Sequence, residues 1–360
     1  VDARAITASG LVTTGTGPDT RRLFYNTGPF APAGFAVTTT APNGSNIDLA
    51  AWAGGAAVNS ANASGNLTIV ASTAATSTGA LQSGGATSVM ANVLTLTSIT
   101  AGTDIVLGAG SGSTSATGAL IAGNDINIVA SGAIDLFELH AGDDIQVDGG
   151  NPLTIGGAYS RGTGVDDEGD GSNIMLTSED INIARVEADN DFIAIASSGG
   201  IVDLGDATMG GDFAVAGGSI MFDSIVAGSG GGLYAVDAID GGSIDAGGSI
   251  TVEAANVAIG AVSGDAGLLV LGGNTVAINQ ADIAGNIAIT AGGNLTGTYA
   301  AGGNISLTSD ANINASATAG GTTADGNLYV DAGGNVILAN STAPRMFGGN
   351  PGGSAGVTGG

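Results

Sequence analysis

Cysteine is absent from the 360 residues. That excludes disulfides and thiol chemistry, and with one histidine, His140, it leaves no ligand set for a typical structural zinc site. Lysine is absent too. The six basic residues are all arginine (Arg4, Arg21, Arg22, Arg161, Arg185 and Arg345), against 32 acidic ones, for a formal net charge of -26. Phosphate recognition needs a basic footprint, so nucleic acid is excluded as a partner. The same charge repels anionic membranes and suits a surface bathed in salt or divalent cations. Aromatic residues make up only 4%, too few for a conventional core of Phe, Tyr and Trp. No apolar run approaches the length of a transmembrane helix; Gly267 to Leu271 is at most a buried strand. No basic-then-apolar leader is visible, and the start at Val1 fits a processed product or an excised fragment.

What is abundant is glycine, at 66 residues, within a composition that is 43% hydrophobic. That hydrophobicity argues against disorder. One phrase organises the chain: Ala301-Gly302-Gly303-Asn304-Ile305-Ser306-Leu307. It recurs at Ala291 to Thr296 and at Ala332 to Leu338, with looser copies at Ala246 to Val252 and Ala122 to Ile128. Each copy reads as a turn followed by a short strand. Glycine supplies left-handed backbone angles, Asn or Asp bonds its own turn, and two apolar residues in alternation face a core.

The spacing identifies the architecture. Ile105, Ile126 and Ile145 follow equivalent turns, at intervals of 21 and 19. Phe192 and Phe213 are 21 apart, and Val276 and Leu295 are 19 apart. Ile287, Leu295, Ile305 and Ile313 alternate at 8, 10 and 8. A period of 18 to 21 with very short strands predicts an all-β fold, a parallel β-helix (β-solenoid), whose thin core is stacked Ile, Leu, Val and Ala. At roughly 4.8 Å per coil, about 14 coils make a rod on the order of 70 Å long.

Three regions follow. Residues 1 to 45 hold four of the seven prolines, three of the arginines, and Phe24, Tyr25, Phe30 and Phe35. They read as an N-terminal cap or an inter-subunit contact segment. Residues 46 to 343 are the β-helix, with degenerate repeats up to about Ile99 and Trp52 as an end plug. Residues 344 to 360, with Arg345 and Phe347, are a Gly-rich C-terminal tail or second contact segment.

The repeat phrase at a period near 20 resembles the filamentous haemagglutinin-like exoproteins and related bacterial β-strand-repeat adhesins, over roughly Asn46 to Ala339. The resemblance implies a right-handed parallel β-helix, secreted as a rod at the cell surface and used for adhesion, biofilm structure or display. Residues 1 to 45 are too few for that family's secretion domain. A small self-assembling subunit and a stalk fragment of a large adhesin therefore both remain open. Open coils at the ends of a β-helix carry unpaired strand edges, so head-to-tail stacking of copies would build a filament. Arg21, Arg22, Phe24, Tyr25 and Phe30 at one end, and Arg345 and Phe347 at the other, are the candidate interface residues. Self is the expected partner, with cell-surface glycans or a neighbouring cell surface as the other.

Chemistry is thinly represented. His140 with Asp143-Asp144 suggests the acid and histidine cluster of polysaccharide lyases and hydrolases, a different class of function. Yet the two aspartates fill the ordinary turn slot, no arginine lies nearby in sequence, and His140 reads as a solvated residue beside a turn. The expectation is no enzyme. Calcium is the better candidate: Asp166, Glu168, Asp170 and Ser172 fall at positions 1, 3, 5 and 7 of an EF-hand-like loop with Gly171 at position 6. Position 12 is Thr177 where the bidentate Glu belongs, so a solvated acidic loop competes with the calcium site. An ice-binding face would need a stacked column of Thr-x-Thr pairs, and Thr95-Leu96-Thr97 stands alone.

Overall fold

The computed structural model describes residues 46–51, 55–162, 171–197, 199–320, 326–343 and 345–348 in full. Outside these it describes the backbone of strands at 2–3, 11–13, 20–25, 35–39 and 355–358, and of Gly349. The chain is a parallel β-solenoid of about 15 coils, all-β and without helix among the described residues. Among the described residues there is accordingly no helix long and apolar enough to cross a membrane. The coils fall into two compact units, residues 1–189 and 190–360.

In the first unit each coil feeds three parallel sheets. The first sheet stacks Ile47, Leu67, Thr87, Ile105, Ile126, Ile145 and Ile174 in register. The second stacks Leu94, Thr114, Ile134, Leu153 and Ile181. The third stacks Leu81, Ile99, Leu120, Leu139, Ala158 and Val186. All of these are buried. Alternation along each strand sends the intervening residues outward, as period 2 requires.

The second unit repeats the plan. Phe192, Phe213, Gly231, Ile250, Leu268, Ile287, Ile305 and Leu328 form the first column. Val276, Leu295 and Ile313 lie in the second sheet, and Ala281, Tyr299 and Ala317 in the third. Every spacing read between equivalent strands of the sequence is a register pair. Along the first column of each unit the intervals fall between 18 and 21, with two exceptions. Ile145 to Ile174 spans 29 and Ile305 to Leu328 spans 23. The first contains the acidic excursion.

Few aromatic side chains point inward, and glycine makes room for them. A Cβ on Gly231 would collide with the Phe213 ring one coil earlier, and one on Gly241 with the ring of Phe222. Gly297, at φ +153°, lies under the fully buried Tyr299, whose hydroxyl donates to the Thr296 carbonyl at 2.7 Å. Burial without a charged partner pushes the Tyr299 phenol pKa well above its ordinary value.

Two details of the repeat phrase differ from expectation. The first concerns glycine. Positive φ is confined, among the described glycines, to Gly171, Gly231, Gly297 and Gly320. The turn glycines are instead required by close stacking: a Cβ on Gly123 would strike the carbonyl of Gly102, and one on Gly142 the carbonyl of Gly123. The second concerns asparagine. Its side-chain oxygen serves the next coil, accepting the backbone N–H of the equivalent residue. Asn286 accepts from Asn304 at 2.7 Å, Asn304 from Asn327 at 2.8 Å, and Asn312 from Asn335 at 2.9 Å. In the first unit Asn46 serves Asn66 at 2.7 Å and Asp144 serves Asn173 at 2.7 Å. Corner amides fall between ladder strands, so stacking supplies the partner that a lone turn would have to find locally.

The ladder continues into both flanking segments. Strand Thr20–Tyr25 pairs in parallel with Asn46–Ala51. Arg345–Gly349 pairs with Asn327–Ala332, and Ala355–Thr358 with Val336–Ala339.

Candidate functional site

Strands Ile134–Ala141, Leu153–Ser160 and Ile181–Ala188 bring together side chains far apart in sequence. Their register sets His140 beside Tyr159 and Tyr159 beside Glu187, while Leu139, Ala158 and Val186 fill the core behind them. The His140 and Tyr159 rings stack at 4.6 Å between centroids, 11° from parallel. His140 Nε2 lies 3.2 Å from Glu138 Oε2. The Arg161 guanidinium stands 5.7 Å over the Tyr159 ring and bonds Glu187 Oε2. Arg185 takes the other oxygen, Nη2 to Oε1 at 2.6 Å.

Glu187 is thus gripped from both sides. The Arg161 hydrogen bond, with Arg185 adding its charge, holds its carboxyl below the usual range. Reciprocally, the bond to Glu187 raises the Arg161 pKa. A carboxylate locked in this way does not serve as a general acid near neutral pH. The arrangement offers a flat aromatic stack flanked by two guanidiniums, each about 60% exposed.

Sequence reading finds His140 but misses its companions. His140 does flank the turn at 142–143 with a side chain 40% exposed, and it is at the same time a strand residue stacked on an aromatic ring. Arg161 and Arg185 are distant from it in sequence and arrive from later coils, on the Tyr159 ring and on Glu187. Asp143 and Asp144 do occupy the turn slot. Asp144 accepts from Asn173 and donates its own N–H to Asp125 Oδ1 at 3.2 Å, and Ser160 donates to the Asp143 carbonyl at 2.6 Å.

Of the proposed calcium ligands, Asp166, Glu168 and Asp170 lie outside the described residues. Ser172 is buried, and its hydroxyl lies 3.3 Å from Asp143 Oδ1. Among the described residues no group of three or more His, Cys, Asp or Glu side chains is placed to hold a metal ion.

Of the interface candidates, Arg21, Arg22, Phe24 and Tyr25 lie on strand Thr20–Tyr25 with side chains outside the described set. Phe30 and Trp52 also lie outside it. Arg345 and Phe347 are exposed, and Phe347 stacks on Tyr329 at 5.1 Å and 11°. Thr97 is tied to the previous coil, its hydroxyl donating to the Ser77 carbonyl at 3.0 Å.

No protein-family model, no curated protein and no solved structure matches the chain.

Proposed function

We propose that the chain is a non-enzymatic, extracellular structural or adhesive β-solenoid, a subunit of a bacterial surface filament that grows by head-to-tail stacking. The strand edges at the flanks carry this reading. Arg345–Gly349 and Ala355–Thr358 each pair with one earlier strand, and no described strand covers their other side. Asp2–Ala3 and Leu11–Thr13 are likewise paired on one side, with Phe24–Tyr25 and Val37–Thr39. A free parallel edge takes another strand. The next coil would come from a second copy in a filament, or from further coils of the same molecule in the stalk of a large adhesin. Met346, in register with buried Leu328, and Phe347, stacked on Tyr329, continue the core and flank columns to that edge. The resemblance of the repeat phrase to haemagglutinin-like exoproteins supports the surface location. Sedimentation of the intact chain against a chain lacking residues 1–45 tests the filament. Assembly is expected only with the segment present, and undiminished polymer without it would contradict the contact role.

The cluster of Glu138, His140, Tyr159, Arg161, Arg185 and Glu187 favours a second reading, a polysaccharide-active enzyme. Release of reducing ends from pectin or unsaturated products from alginate would establish it, with loss of activity in His140→Ala.

A further inference from the structure

Aromatic and basic side chains are scarce in this chain, yet one flank of the first unit collects them. The outer face of its third sheet carries Ile121, His140, Tyr159 and Glu187 in register on four coils. Ile121 is 43% exposed, and Phe137, on the strand of His140, is 55% exposed. With Arg161 and Arg185 added, the face holds the chain's one histidine, two of its six arginines and two aromatic rings. The stacked rings and the shared Glu187 fix these side chains, so little rotamer freedom remains to be lost on contact. Each guanidinium has five N–H donors and turns one nitrogen to Glu187. Aromatic residues and arginine are what protein interfaces concentrate.

The second unit presents the complement. Residues 190 to 344 contain no lysine, arginine or histidine. The outer face of the third sheet there carries Val226, Asp245, Ser263 and Asp282 in register on four coils. Asp206, Asp245 and Asp282 are exposed, as is Val226. Serines one coil on hold two of the carboxylates. Ser263 Oγ donates to Asp245 Oδ1 at 2.8 Å, and Ser224 Oγ to Asp206 Oδ1 at 2.5 Å.

We propose that these two faces are a lateral contact between copies, the arginine and aromatic face of one docking on the aspartate column of another. This adds a sideways contact to the end-to-end growth proposed above, and rests on that reading for its repetition. Charge complementarity selects the occupant. At -26 two copies repel over most of their surface, and their flanks approach only where guanidinium meets carboxylate. Arginine and carboxylate pair there in fork geometry, with Ile121, Phe137 and Val226 as the apolar part of the contact. Four coils at roughly 4.8 Å, crossed by eight-residue strands at roughly 3.3 Å per residue, give a face of about 500 Å². Two such faces bury about 1,000 Å², the lower bound for a specific contact. One contact of that size is weak, but a filament repeats it at every subunit and gains by multivalency.

Charge exchange between copies tests the contact. Arg185→Glu reverses one side of it, and the double variant Asp245→Arg, Asp282→Arg reverses the other. Parent filaments, each one solenoid wide, are expected to lie side by side in electron micrographs and to pellet at low speed. Either variant alone should give separate filaments, with the pelleted fraction down by roughly tenfold. Mixing the two preformed variant filaments should restore the pellet, because each then meets its opposite charge. Arg185→Gln leaves Arg161 on Glu187 and should lose part of the pellet at the parent's melting temperature. The inference is overturned if either charge-reversed variant pellets like the parent, if the mixture pellets no better than its components, or if Arg185→Gln behaves as the parent. Parent filaments that never associate sideways remove the lateral contact and leave end-to-end growth standing. If no filaments form, end-to-end growth falls, and sedimentation of the unassembled chain decides the lateral contact. A paired species lost in each variant and regained in the mixture supports it, and a single unpaired species in the parent overturns it.

Discussion

Asn304 donates its backbone N–H to Asn286 Oδ1 at 2.7 Å, one coil earlier, and its own Oδ1 accepts from Asn327 one coil later. A single residue therefore ties three coils. Asn304→Ala removes the acceptor and should lower stability by about 1 kcal/mol. Asn304→Asp keeps an acceptor oxygen and should cost less. Urea midpoints of the two variants against the parent give the comparison.

Among the described residues two threonines are buried in the core, in opposite circumstances. Thr87 Oγ1 lies 2.8 Å from Ser83 Oγ, which itself donates to the Gly85 carbonyl. Thr114 Oγ1 is buried between Leu94 and Ile134 with no hydrogen-bond partner. Thr114→Val should stabilise by about 1 kcal/mol, and Thr87→Val should destabilise by a similar amount. Thermal melts that moved both variants in one direction would contradict this assignment.

Glu187 predicts a pH dependence. Its carboxyl is held below the usual range by Arg161 and Arg185, whereas the unfolded chain titrates near the ordinary value of about 4.3. A depressed folded pKa gives stability that is fully present above the unfolded pKa and lost as pH falls through the folded one. The gap in melting temperature between the parent and Glu187→Gln should be constant near neutrality and close as pH drops below about 4. Both arginines are largely exposed, so added salt should narrow the gap as well. A gap unchanged from neutral to acid would show that the clamp contributes nothing.

Much of the fold is legible in the sequence because its periodicity is structural. Ile105, Ile126 and Ile145 recur in sequence and are the residues that stack. Phe192 and Phe213 behave the same way. The chemistry of the repeat is harder to read, since a turn seen alone has no neighbouring coil. Asn304 then looks like a turn former, although its oxygen belongs to the next coil, and Gly123 looks conformational, although it is there for stacking. The candidate site is hidden for the same reason. His140, Tyr159 and Glu187 lie on three successive coils, far apart along the chain, and only the coil register makes them neighbours. The usable signal is arithmetic. The step that carries Ile126 to Ile145 also carries His140 to Tyr159.

The acidic excursion carries the calcium proposal. Binding at Asp166, Glu168, Asp170 and Ser172 predicts a melting temperature that rises with added calcium and falls with chelator. Asp166→Asn should abolish the difference. Equal melting with calcium and with chelator would contradict the site.

End-to-end growth is the central claim, and electron microscopy of the purified intact chain across a concentration series tests it most directly. Unbranched filaments that lengthen with concentration, one solenoid wide, are the predicted result. Separate particles of one size at every concentration, matched by a single sedimenting species, would contradict it.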